Sequence, residues 1–332
     1  MMKHRSSAGI VVAVVVLAVT AWSPSAAAKA PGANGQVAFD TADGTVWVVG
    51  ADGSAPTQLQ INVDGSAVPR WSPDGSRLLI ATFTDLGLRP GIVNPDGSGL
   101  TVLSVPGLPS YVDISPCVWV PSGTRILCKA QNFATSDHSL DGIYSMNTEG
   151  TDLRRLTVNP FPPADPFGGG DLPGDVSPSG TQFVFMRARP DPGHQPGREQ
   201  SGALYVENID GTGLHQITQY GLPNSHDDGF ESWSPDGSEI LFASENGNLF
   251  TVHPDGTALA SVPIRAAAGQ SFARAPAWSP DGTRIVTRLY LGAVGQAAIY
   301  TLRSNGTDLT PISPPGLNFV NDPDWGASST TG

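Results

Sequence analysis

The chain has 332 residues and a formal net charge of −12, with charged side chains at only 14% and no Lys/Arg cluster larger than a pair. Phosphate backbones and anionic membranes repel such a surface, so the composition argues against nucleic acid as a partner. The 39 glycines and 30 prolines sit at regular turn positions between apolar runs, a pattern of an all-β protein and not of disorder.

At the N-terminus, Lys3, His4 and Arg5 precede an apolar stretch at 10–21 and then Ala26-Ala27-Ala28. That order matches a secretory signal peptide cleaved after Ala28, so 1–28 is expected to be removed. The apolar stretch is short for a bilayer span. No later segment is apolar enough, so no transmembrane anchor is expected after cleavage. The mature chain is expected to be secreted or held in the cell envelope or periplasm.

From residue 33 onward two motifs alternate. The first is Trp71-Ser72-Pro73-Asp74-Gly75, with further copies at 119–123, 176–180, 233–237 and 278–282 and a truncated one at 322–326. The second starts with an aromatic residue and ends in Asp, or a substitute such as Glu149 or Asn305, followed by Gly, at 47–53, 144–150, 205–211, 250–256 and 300–306. A sixth copy ends at Asp96-Gly97, with Gly91 in the aromatic slot. Both are hairpin turns: proline presets φ, Asp caps the turn, and Gly takes positive φ without steric cost. A period near ~50 residues marks a repeat architecture.

Two hairpins per repeat make four antiparallel strands, A to D. Strand B is apolar throughout, as at 78–80, 183–185 and 240–242, which suits a strand covered on both faces. Radial repetition of such sheets gives a β-propeller. The first cycle begins at strand B (36–39) and the last ends at strand A around Trp325. The sequence therefore predicts a six-bladed propeller over 33–327. C-terminal strand A joins N-terminal strands B–D, and 328–332 form a disordered tail.

This alternation of W-S-P-D-G, strand B, an aromatic strand and x-D-G-T resembles the TolB-like propeller repeat. The resemblance implies the fold and little about activity. It also departs from TolB proper, because few residues lie between the expected cleavage site and the first strand, with no room for a preceding α/β domain.

Both motifs close A–B or C–D turns on one face, so the variable loops lie on the other. Two connections there are long and rich in Pro and Gly, at 159–174 and 187–202. Loops on a rigid scaffold carry binding function. The candidate binding residues on that face are Asp113, Asp171, His226, Asp227, Asp228, Glu231, Arg274 and Asp322, with His138 and His194 from B–C loops. Loop carboxylates suit a hard cation such as Ca²⁺ or Mn²⁺, but no segment shows a ligand spacing, so no cofactor is assigned. Nucleophilic catalysis has little support: Gly269-Gln270-Ser271-Phe272-Ala273 begins like a nucleophile elbow but lacks its closing glycine.

Cys117 and Cys128 flank the Ser122-Gly123 turn and fall opposite each other if that hairpin is tight. Direct antiparallel partners are about 4.5 or 5.5 Å apart at Cα, within disulfide reach, and export supplies an oxidising compartment. A disulfide is predicted. The functional expectation is a monomeric, exported, non-enzymatic module that binds a protein, peptide or glycan through its variable face. The alternative is a polysaccharide lyase- or lactonase-like enzyme with a divalent metal at the channel mouth.

Overall fold

Each W-S-P-D-G copy forms the turn its residues dictate. The computed structural model describes residues 32–61, 67–161, 170–195, 198–220, 230–264, 271–291, 297–317 and 320–329, with backbone alone for 192–195, 198–200, 271 and 291. In the first copy the Gly75 amide donates to the Ser72 carbonyl at 2.9 Å, with Gly75 at φ +67°. Ser72 Oγ donates to Asp74 Oδ1 at 2.6 Å and accepts the Arg77 amide at 2.9 Å. Asp74 Oδ1 also accepts the Ser76 amide. The copies at 234–239 and 279–284 repeat these bonds. In the second motif Asp52, Asp96, Asp210 and Asp255 each accept the amide two residues on at 2.9 Å. The neighbouring Ser or Thr hydroxyls and those amides hold these carboxyls below the usual range.

The turns join six four-stranded antiparallel sheets. Blade 1 holds Arg70–Trp71, Leu78–Thr84, Gly87–Val93 and Thr101–Val102; blade 2 holds Val112–Trp119, Arg125–Asn132, Gly142–Asn147 and Arg154–Arg155. Blade 3 is Asp171–Val176, Gln182–Gln195, Arg198–Asn208 and His215–Gln216; blade 4 is Ser232–Trp233, Ile240–Ala243, Leu249–Val252 and Ala260–Val262. Blade 5 is Ser271–Trp278, Arg284–Leu291, Ala298–Arg303 and Thr310–Pro311. Blade 6 draws on both ends of the described chain: Val320–Ala327 pairs with Asn34–Thr41, which leads to Val46–Val49 and Thr57–Gln58. Val37 faces Trp325 and Ala38 faces Asp324 across this seam. Pairing the two ends closes the ring and leaves no open edge there.

The core is divided into six apolar clusters, one per interface between neighbouring blades. Trp71, Trp119, Trp233, Trp278 and Trp325 each anchor one of them. Gly326 is required at the closure, because a Cβ there would lie 2.6 Å from the Trp71 ring. The third copy has Val176 in place of Trp, and its interface is filled by Phe183 and Phe185, stacked at 5.3 Å.

Two loop expectations change. Residues 187–202 are not a loop. The strands Gln182–Gln195 and Arg198–Asn208 stay paired through Arg187↔Ala203, Arg189↔Ser201 and Gln195↔Arg198, with one bulge between Pro190 and Gln195. Pro190 lies at the edge of that irregularity and Pro192 within it, where proline is tolerated in a sheet. In the other connection, 162–169 lie outside the described residues and Asp171–Val176 is the inner strand of blade 3.

Candidate functional site

The six inner strands converge on a central channel lined by Arg70, Asp175, Glu231, Ser232 and Asp324 among others. Its free volume is about 40 Å³, little more than a single water's share of the liquid. The residues just before the motif anchors tie blade to blade. Asp324 Oδ2 accepts the Trp71 amide at 2.8 Å, Asp175 Oδ2 the Trp233 amide at 2.8 Å, and Ser232 Oγ the Trp278 amide at 3.1 Å. Sequence reasoning missed Asp175 and Asp324. The available signal was an Asp directly before two copies of the repeat anchor.

The predicted carboxylates that the structure describes lie on different blades. Asp171, fully buried, holds Arg187 in a bidentate pair at 2.8 and 2.7 Å, and that guanidinium lies over the Phe185 and Tyr205 rings. Asp113 Oδ1 accepts the Leu88 amide of blade 1 at 2.9 Å. Glu231 is 3% exposed and packs its carboxyl on Gly174 of blade 3. Asp322 takes φ +42° at the inner-strand bulge of blade 6, and its carbonyl accepts Arg70 Nη1 at 3.3 Å. Arg274 lies 4.7 Å from the Phe272 centroid and is itself buried. His138 Nδ1 meets Asp141 Oδ2 at 2.9 Å within its own loop. His226, Asp227 and Asp228 lie outside the described residues, as does the side chain of His194. Among the described residues, no three His, Cys, Asp or Glu side chains are grouped to hold a metal.

The upper part of the blade 2–blade 3 interface is polar. Lys129 and Gln131 of blade 2 are buried there, and the Asp171–Arg187 pair of blade 3 lies on the same side. Burial pushes the Lys129 ammonium down to about 8, against the raising effect of Asp141 and Asp171. Burial likewise raises the Glu207 carboxyl to about 7; Asp171 and Asp210 add to the rise and Arg187 opposes it.

Cys117 and Cys128 form the expected disulfide, with Cα atoms 4.1 Å apart, as direct partners in blade 2.

The loop face bears a depression of about 420 Å³ between blades 1 and 2, lined by Asp85, Leu86, Ser110, Tyr111, Asp113 and Phe133 among others. Leu86, Tyr111 and Phe133 are 55%, 47% and 43% exposed, an unusual clustering for large apolar side chains. Three separate connections supply them. They escaped notice in the sequence because single exposed aromatics carry no periodic signal. A larger cavity of about 920 Å³ lies on the opposite, turn-bearing face between blades 4 and 5. Of its carboxylates, Asp236 and Asp281 are occupied in holding their turns, and Glu239 Oε1 accepts the Thr251 hydroxyl at 3.5 Å.

No protein-family model matches the sequence, and no curated protein does. Solved structures do match. TolB from Acinetobacter baumannii is 17% identical over 89% of this chain and 67% of its own, with a TM-score of 0.59. The fold is a TolB-like β-propeller. A nidogen/laminin complex structure is 12% identical over 89% and 98%, at 0.61. An oligogalacturonate lyase from Vibrio parahaemolyticus is 13% identical over 82% and 72%, at 0.50. At these identities the likeness shows the architecture. The TolB-like ring carries its variation where the depression lies and its repetition on the other face.

Proposed function

We propose that this TolB-like propeller is an exported binding module that recognises a partner through its loop face. The observation that carries this is the open depression with exposed Leu86, Tyr111 and Phe133 on a rigid two-blade support. A shallow face with aromatic contacts suits recognition. Among the described residues the channel carboxylates Asp175 and Asp324 are engaged by backbone amides, and no three His, Cys, Asp or Glu side chains are grouped to hold a metal. The leader-like residues 1–28 and the Cys117–Cys128 bridge support an extracytoplasmic setting. The nidogen/laminin complex is an instance of a similar fold in a protein assembly.

The lyase-like reading has the Vibrio structure as its support, and that likeness carries the fold alone. The test is recovery of binding partners from the secreted and envelope fractions. It compares the native protein, a Leu86→Ser/Tyr111→Ser/Phe133→Ser variant, and a turn-face control, Glu239→Gln. Loss of partners in the loop-face variant alone is the expected result. Equal recovery by all three forms rules the depression out as the binding surface.

A further inference from the structure

Four aromatic rings along the loop face are covered by a guanidinium from the same chain. Arg189 lies 4.2 Å from the Tyr220 centroid, Arg274 4.7 Å from Phe272, Arg70 5.0 Å from Phe230 and Arg288 5.5 Å from Tyr290. Tyr111 and Phe133, like the exposed Phe83 of the blade 1 hairpin, are not covered. Among the described residues neither ring has a cation over it, and both stand open to solvent.

Charge at the depression is one-sided. Asp85 and Asp113 line it and no Lys or Arg does. Arg89 is nearby, but its guanidinium is spent on three carbonyls: Leu88 at 2.7 Å, Val112 at 3.0 Å and Ser110 at 2.7 Å. Asp113 is engaged by the Leu88 amide, whereas Asp85 is exposed. Two open rings beside an exposed carboxylate offer a cation both a π face and a counter-charge.

We infer that the depression between blades 1 and 2 docks an arginine- or lysine-bearing segment of a partner polypeptide. The inference rests on the binding-module reading and names the partner chemistry. The cationic head stacks on Tyr111 or Phe133 and hydrogen-bonds Asp85, while its aliphatic stem packs on Leu86. The net charge of −12 adds long-range attraction for a basic segment. A neutral saccharide gains nothing from that field, and an anionic one is repelled by it. Arginine is favoured over lysine because its planar head stacks and forks at once.

The probe is tetra-arginine amide, titrated into the isotope-labelled full chain and followed by amide chemical shifts, with tetra-lysine and cellotetraose in parallel. Tetra-arginine should shift the amides around Asp85, Tyr111 and Phe133 and bind more tightly than tetra-lysine. Affinity should fall roughly three-fold or more in Phe133→Ala, in Tyr111→Ala and in Asp85→Asn, and fall with added salt. All three side chains are exposed, so unchanged melting temperatures will separate lost docking from lost folding. Equal affinity in a Tyr111→Ala/Phe133→Ala double variant overturns the inference, because binding is then diffuse attraction to an acidic surface. Cellotetraose shifting these amides while tetra-arginine does not overturns the cation chemistry yet leaves the face as a binding surface. If tetra-arginine docks as described but the native protein and the loop-face variant recover the same partners, the docking chemistry stands and the binding-module reading fails.

Discussion

Asp324 and Trp71 are 253 residues apart in sequence and joined directly: Asp324 Oδ2 accepts the Trp71 backbone amide at 2.8 Å. The bond lies where blade 6 meets blade 1, beside the seam that brings the two ends of the ring together. Both groups are shielded from water, with Asp324 6% exposed. Asp324→Ala leaves the amide buried without its charged acceptor. That should cost about 1.5–3 kcal/mol, measured by urea denaturation. The Ser232 hydroxyl serves the Trp278 amide in the same way at 3.1 Å. Being neutral, it should cost only about 1 kcal/mol when replaced by alanine. Equal losses in the two variants would show that ring closure has no special dependence on the carboxylate.

The Cys117–Cys128 bridge staples the inner two strands of blade 2, across a sequence separation of 11. A loop this short gives a bridge worth about 2–3 kcal/mol. Cys117→Ser/Cys128→Ser should lower the urea midpoint accordingly while leaving the far-ultraviolet spectrum unchanged. A thiol assay on the unfolded, unreduced protein should find no reactive thiol, and two would refute the bridge.

The bridge was legible in the sequence and the Asp171–Arg187 pair was not, for one physical reason. In blade 2 the register runs unbroken from the turn through Trp119↔Ile126 to Cys117↔Cys128, and the bulge lies beyond it, between Ile114 and Cys117. Counting outward from the turn therefore finds the right partner. In blade 3 the bulge between Pro173 and Asp175 comes first, and the same counting pairs Asp171 with the wrong residue. A bulge changes which residues face each other without leaving a motif. The ring, its six blades and its closure were legible because they rest on turns, whose chemistry is local. The depression was not, because Leu86, Tyr111 and Phe133 meet only when three connections from two blades converge.

Burial of Lys129 has a pH signature. In the unfolded chain its amine holds a proton up to about 10.5, in the folded chain only to about 8. Below pH 8 both states carry the charge and the fold bears the full cost of burying it, about 3 kcal/mol. Between pH 8 and 10.5 the unfolded chain still holds the proton that the folded chain has released. Stability contributed by this group therefore rises with pH through that window. Lys129→Met should remove the rise and stabilise the protein at pH 7 by roughly 1–3 kcal/mol. A destabilised variant would show that attraction to Asp141 and Asp171 outweighs the burial cost.

Glu207 works in the opposite window. It is 5% exposed, and its Oε2 has no hydrogen-bond partner among the described residues. Its carboxyl titrates near 4.5 when unfolded and near about 7 when folded. Between those values the folded state keeps a proton that the unfolded state has lost, so stability falls as pH rises from 4.5 to 7 and then levels off. Partial solvent screening limits the loss to about 1–2 kcal/mol. Glu207→Gln keeps the shape and removes the titration, so its urea midpoint should be flat between pH 5 and 8 in this contribution and higher than the native protein's at pH 8. Together with Lys129 this places the least stable point contributed by the blade 2–blade 3 interface between pH 7 and 8. A double Lys129→Met/Glu207→Gln variant should erase that minimum. A minimum that survives in the double variant would assign it to groups elsewhere in the ring.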